Sequence, residues 1–312
     1  MTAPPSRGAP GSTPPDVGAG LQIHEANAFL GVPAPTLRSW ELRYGLPVTL
    51  RSPGGHRRYT EAALHELGMM RDEVASGRTP AEAARRVRVL LDEQSGTRSR
   101  VEGLLAGSER HDASAIRSVL EEARAALGLA ATLDAVVLPT MRQIGAWWET
   151  GRCDVDQETF TTEVVRGWLA KLTTLAPPPA SDRWVLLGTG PHDVHTLGIE
   201  ALGALLVTRG TGCRVLGART PQHVVVAAVR ASSPAGVVIV SHLSHQRRAA
   251  VGSLDALAAT GCPTYYAGNA FRSGASRREV PGTYLGERLA EAATTIERAL
   301  PTELPPGLAS AG

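Results

Sequence analysis

The stretch Trp184-Val-Leu-Leu-Gly-Thr-Gly-Pro-His-Asp-Val-His-Thr-Leu-Gly198 decides the fold. A short apolar run, Trp184 to Leu187, passes into a loop of glycine and histidine and then into helical sequence, the pattern of a strand feeding a crossover helix. The alternation recurs at Cys213-Arg-Val-Leu, Gly236-Val-Val-Ile-Val, Thr264-Tyr-Tyr-Ala and Gly282-Thr-Tyr. Residues 182–301 are therefore expected to form a Rossmann-like (flavodoxin-like) parallel sheet with flanking helices. Ligands of such sheets lie beyond the carboxyl ends of the strands, where this loop falls. Within it Asp193 precedes His195 by two residues, placed to accept one ring N–H and fix the tautomer of a ligating imidazole. Gly198 leaves room for a bulky ligand near the backbone.

Toward the N-terminus, Ala176-Pro-Pro-Pro-Ala-Ser181 marks a boundary. Before it, residues 100–175 carry four helical stretches with short connections: Val101 to Ser108, Asp112 to Gly128, Ala130 to Glu149 and Asp156 to Leu175. These predict a four-helix bundle. Gln94-Ser-Gly-Thr-Arg-Ser99 reads as a linker. Ahead of it, residues 21–94 place Ile23, Ala26, Leu30, Val32 and Leu37 at helical spacing, with Gly31 breaking the run as in a helix-turn-helix. Pro35 suits the first turn of a second helix, Ala34 to Tyr44. A basic loop with a Gly54-Gly55 hinge follows, then helices from Thr60 to Ala75 and Ala81 to Gln94. Residues 1–20 and 302–312 read as disordered tails. The fold class is thus multidomain, α and α/β.

Composition limits the function classes. Against 30 Asp+Glu stand 32 Lys+Arg, a formal net charge of +2, so no whole-molecule field draws this chain to nucleic acid or membrane. A basic patch must be local, and five Arg with one Glu between Arg38 and Arg58 supply one. Three distant cysteines, Cys153, Cys213 and Cys262, lack the spacing of a disulfide scaffold or zinc site and fit a reducing cytoplasm. No signal pattern and no apolar run near the roughly 18 residues of a membrane span are read.

Thr36-Leu-Arg-Ser-Trp-Glu-Leu-Arg-Tyr-Gly-Leu46, followed by Arg51-Ser-Pro-Gly-Gly-His-Arg-Arg-Tyr59, resembles the winged helix-turn-helix of MerR-family transcription regulators. The resemblance implies a second helix in the major groove and a wing along the backbone of double-stranded DNA. The DNA-facing set would be Arg38, Ser39, Arg43 and Tyr44 on the helix, and Arg51, His56, Arg57, Arg58 and Tyr59 on the wing, with Trp40 packed beneath. Family members bind inverted-repeat promoter sites, which implies a homo-oligomer, dimer or tetramer.

Asp193-x-His195-x-x-Gly198, then Ser241-His-Leu243, then Gly268-Asn269 resembles the cobalamin-binding domain of corrinoid enzymes and of cobalamin-dependent MerR regulators. In that family the histidine is the lower cobalt ligand, which makes His195 the metal-binding residue here. Ser241, Leu243, Gly268 and Asn269 would line the slot for the nucleotide tail, although Asn269 stands where the family has a second glycine. Trp148, nine residues, then Glu158 resembles the upper-face cap of the light-responsive repressors of the CarH/LitR type. Thr159 replaces the histidine of that cap, and Glu149 stands where a ligating histidine is often found.

The implied function is a cytoplasmic, non-enzymatic DNA-binding repressor controlled by cobalamin. Adenosylcobalamin with a light response, or methylcobalamin, would be the bound form. Two other readings stand beside it: a regulator whose sensory half has lost cobalamin and binds a protein or another small molecule, and a corrinoid-carrier subunit of a methyltransferase.

Overall fold

Helix stop signals shape the first part of the chain. In the computed structural model, which describes residues 20–52, 54–179 and 181–300, α1 (Ile23–Leu30) and α2 (Ala34–Tyr44) each end on a left-handed glycine, Gly31 and Gly45. The expected tails lie outside the described residues apart from Gly20. A two-stranded hairpin follows, β1 (Leu50–Arg51) antiparallel to β2 (Arg57–Arg58). Thr60 then caps α3 (Glu61–Ala75) by accepting from Ala63 N at 3.2 Å. Leu30, Leu37, Trp40, Tyr59, Leu67, Met70 and Val87 form the core of this winged helix-turn-helix.

The chain divides into two compact units between Gly96 and Thr97. The expected linker Gln94 to Ser99 is not a coil: it is helical, inside α4 (Pro80–Glu109). Ser, Gly and Thr each cost a helix at most about 1 kcal/mol. Flanking turns that bury Ala83, Ala84 and Val87 on one side and Leu104 on the other outweigh that cost.

The second unit opens with the bundle. The C-terminal part of α4 packs with α5 (Ala113–Thr132), α6 (Leu138–Glu149) and α7 (Val155–Leu175). Gly128, at φ 77 and ψ 164, kinks α5, and a π-helical turn over Leu133–Val137 joins it to α6. By length and composition the run Ala113–Glu149 is apolar enough to cross a membrane, contrary to the sequence expectation. Here it is broken at Gly128 and turns Ile116, Leu120, Leu133, Val136 and Val137 into the core.

Five strands then form the expected parallel sheet, β3 (Trp184–Thr189), β4 (Gly212–Gly217), β5 (Gly236–Val240), β6 (Thr264–Ala267) and β7 (Thr283–Tyr284), in the order β4-β3-β5-β6-β7. This is the flavodoxin-like order, and its crevice opens between β3 and β5, where the strand order reverses. The helices α8 (Leu197–Thr208), α9 (Gln222–Ser232), α10 (Arg247–Ala258) and α11 (Leu289–Ala299) cover the faces. Bundle and sheet share one core cluster, in which Leu169 and Trp168 join Ile199, Leu202 and Leu205. Two polar ties reinforce it. Asp134 accepts from Leu289 N at 2.7 Å and Ala290 N at 3.2 Å, capping α11. Arg166 on α7 donates to Glu200 at 2.9 Å and to Thr196 at 3.2 Å, holding α7 over the start of α8.

Candidate functional site

Where β3 and β5 end, the backbone turns back on itself. Gly190 N donates to Val240 O at 2.9 Å, and Asp193 N to Gly190 O at 3.1 Å. Thr189 Oγ1 and Arg219 N both donate to the Asp193 carbonyl at 2.8 Å. Asp193 is thereby fully buried, with its carboxylate aimed at two histidines. Oδ1 accepts from His195 N at 2.9 Å and from Nδ1 of the same residue at 2.7 Å. Oδ2 accepts from His242 N at 2.5 Å. Burial by itself would push the Asp193 carboxyl up, but the donors from His195 and His242 outweigh it and hold it far below the usual carboxylate range. The same hydrogen bond raises the His195 pKa against the opposing effect of burial, and the nearby Glu158 charge adds to the rise. With Nδ1 engaged, Nε2 is the ring atom left to ligate a metal.

Beside this pair lies a backbone cradle. Gly268 has φ +103, and a Cβ there would fall 2.1 Å from Ser241 O, so only glycine fits. Ser241 is fully buried; its N–H donates to Ala267 O at 3.1 Å, and its Oγ has no partner among the described residues. An orphaned buried hydroxyl costs about 1–3 kcal/mol, so it suits a group that arrives with a ligand. Gly198, at the start of α8, would place a Cβ 3.9 Å from His242 Nε2. Leu243 and Asn269 are exposed at the rim.

The bundle contributes unevenly. Glu158 on α7 is half-buried and close enough to act electrostatically on His195. Trp148 is 48% exposed near the end of α6, and the neighbouring Glu149 is exposed too. The residue that sequence reasoning missed is His242. Its ring lies 5.4 Å from that of His195, and its Nδ1 is 3.5 Å from Asp193 Oδ2 with no hydrogen-bond partner among the described residues. The signal was present: a histidine inside the Ser241-His-Leu243 motif, directly after a strand.

In the first unit, Arg38 and Arg43 are exposed on α2, with Ser39 half-buried between them. Trp40 is core, as expected. The hairpin exposes Arg51 and His56, and Arg51 Nη1 donates to Gly55 O at 3.2 Å. Arg57 is bound to Glu41, Nε to Oε2 at 2.5 Å, and Thr49 Oγ1 donates to the other Glu41 oxygen at 2.8 Å. Arg58 is half-buried, and Tyr44 packs partly into the core. Tyr59 corrects the expectation. It is fully buried, paired through its backbone with Leu21 and packed as core, so its ring does not face DNA.

Residues 21–89 match the model of the MerR HTH family regulatory protein, and residues 101–173 match that of the B12 binding domain. The HTH-type transcriptional repressor CarH of Myxococcus xanthus is 32% identical over 232 residues, covering 68% of this chain and 76% of the relative. The HTH-type transcriptional repressor CarA of the same organism is 29% identical over 214 residues, covering 64% and 69%. The monomethylamine corrinoid protein of Methanosarcina barkeri shares the fold at a TM-score of 0.51 and 16% identity, over 64% of this chain and 99% of that one.

Proposed function

The chain belongs to the family of HTH-type transcriptional repressors that includes CarH and CarA, and on that premise we propose that it is a DNA-binding repressor switched by a bound corrinoid. The observation that carries the ligand half of this reading is the buried Asp193 aimed at His195, beside a cradle at Gly268 that any side chain would fill. Residues 21–94 would contact DNA, and the corrinoid would lie between the 100–175 bundle and the 182–301 sheet.

His195 Nε2 would hold cobalt from below, with Asp193 keeping the proton on Nδ1. Ser241, Leu243 and Gly268 would receive the nucleotide tail, its first polar group satisfying the Ser241 hydroxyl, while Asn269 sits at the rim. Glu158 and Trp148 would cover the upper face. The bound group supplies a cobalt–carbon bond that light can break, and the residues around it determine only the fate of the opened upper face. We assign adenosylcobalamin, with methylcobalamin as the second form, as the ligand; Glu149 in place of a ligating histidine would alter the photoresponse, and Thr159 in place of the other histidine would weaken selectivity for the adenosyl form. A palindromic site needs two copies of a chain carrying one helix-turn-helix, so the acting species is a homo-oligomer. Its output is binding rather than turnover.

The test is direct. Purified protein is incubated with adenosylcobalamin or methylcobalamin and desalted, and cobalt content and visible spectrum are read. Wild type should retain about one cobalt per chain, and His195→Ala much less. A wild type that retains neither corrinoid removes the ligand half and leaves a regulator whose sensory unit takes another molecule.

A further inference from the structure

Among the most exposed large apolar side chains of the described residues is Leu42, 86% exposed in the middle of α2. On a helix of 3.6 residues per turn each residue advances roughly 100°, which places Leu42 about 40° from Arg38 and between it and Arg43. Pro35 and Ser39 share that outward arc, and the opposite side, Leu37 and Trp40, is buried. Leu42 therefore contributes nothing to the core. Isolated surface leucines are common, but this one lies within the helical face that also presents Arg38 and Arg43, where a solvated polar side chain would be cheaper.

The charge around it is consistent with an anionic partner. Glu41, the one acidic residue of α2, is turned away from that arc and held by Arg57 at 2.5 Å and Thr49 at 2.8 Å. The face that remains is two guanidinium groups flanking an apolar side chain. In the major groove the single apolar feature of the base edges is the C5-methyl of thymine, while guanidinium groups pair with guanine or phosphate. We infer that Leu42 reads a thymine methyl, and so sets the identity of one base pair in each half-site. This rests on the DNA-binding reading above and adds a specificity residue to it.

The experiment uses the full-length protein and a pool of random-sequence duplexes, from which the preferred site is selected by repeated binding and amplification. Each thymine of the selected duplex is then replaced singly by uracil, which removes only the methyl group. One replacement per half-site should weaken wild-type binding about three- to fivefold, the worth of one buried methyl-sized group. Leu42→Ala should be indifferent to that same replacement and should accept other base pairs there, with its salt dependence unchanged. Because the side chain is exposed, the variant keeps its fold, which its unfolding curve checks. If no uracil replacement discriminates wild type from Leu42→Ala, or if the variant selects the same site with the same preference, the assignment is wrong while DNA binding stands. A wild type that enriches no sequence overturns the DNA-binding reading itself, and this inference with it.

Discussion

To hold a metal through Nε2, as proposed, His195 needs its proton on Nδ1, and the fully buried Asp193 accepts from that atom at 2.7 Å. Asp193→Ala is therefore expected to weaken corrinoid binding about 10–100-fold by equilibrium dialysis, the usual cost of losing the group that orients a ligating histidine. His242→Ala should cost much less, because the closer of its two approaches to Asp193, the backbone N–H at 2.5 Å, survives the substitution. Equal losses in the two variants would show that the His242 ring, and not its backbone, matters to the pair. Gly268→Ala is a sharper test of the cradle. At φ +103, with Ser241 O 2.1 Å from the new Cβ, it should destabilise the second unit by at least about 2 kcal/mol in urea unfolding. The Asp193-x-His195-x-x-Gly198 part of the site was legible because all three residues lie on one loop at fixed spacing. His242 was not singled out, since its meaning depends on β5 ending beside β3, a contact 49 residues apart in the chain. Tyr59 misled for a similar reason. Among arginines it reads as surface, and only the pairing with Leu21 turns it inward.

At the scale of elements, the strands and helices were legible where periodicity was strong. All five strands begin within one residue of their apolar runs, and the break between two bundle helices falls at Gly128. Residues 94–99 were misread because propensity is a weak local term, and helix propagates through them from anchored turns on both sides. Amide exchange should accordingly protect 94–99 together with the rest of α4; exchange at coil rates there would contradict the continuous helix. The hairpin gives a second expectation. Two wing arginines contacting phosphate would each add about one unit to the salt slope of DNA binding. Arg57 is already paired with Glu41, however, so the double change Arg57→Ala, Arg58→Ala should reduce the slope by about one unit rather than two. A loss of two would mean that Arg57 leaves Glu41 for the DNA backbone.

At the scale of the whole molecule the question is how a ligand in the second unit alters DNA binding by the first. A ligand shifts such an equilibrium only by the difference in its affinity for the two states, so a corrinoid that matters must bind the DNA-bound and free forms with different affinity. The ties already joining them, Arg166 to Glu200 and Asp134 to the start of α11, give the second unit fixed points about which such a difference can act. The coupling is reciprocal: if adenosylcobalamin tightens DNA binding by some factor, the selected DNA must tighten adenosylcobalamin binding by the same factor. Coupling free energies of 1–3 kcal/mol are usual, which corresponds to about 5–150-fold on both sides. Measuring the two affinities in the dark, each with and without the other ligand, checks this, and unequal factors would exclude a simple two-ligand equilibrium. Illumination then separates cofactor from protein. The cobalt–carbon bond should break whatever surrounds it, so the visible spectrum should change. On the proposed reading Glu149 stands where the resemblance places a cobalt-trapping histidine, so the change in DNA affinity and in gel-filtration volume should be partial or should reverse in the dark. A complete and persistent change, with the spectrum of cobalt held by two histidines, would show that another histidine, such as the exposed His192 of the same loop, reaches the metal.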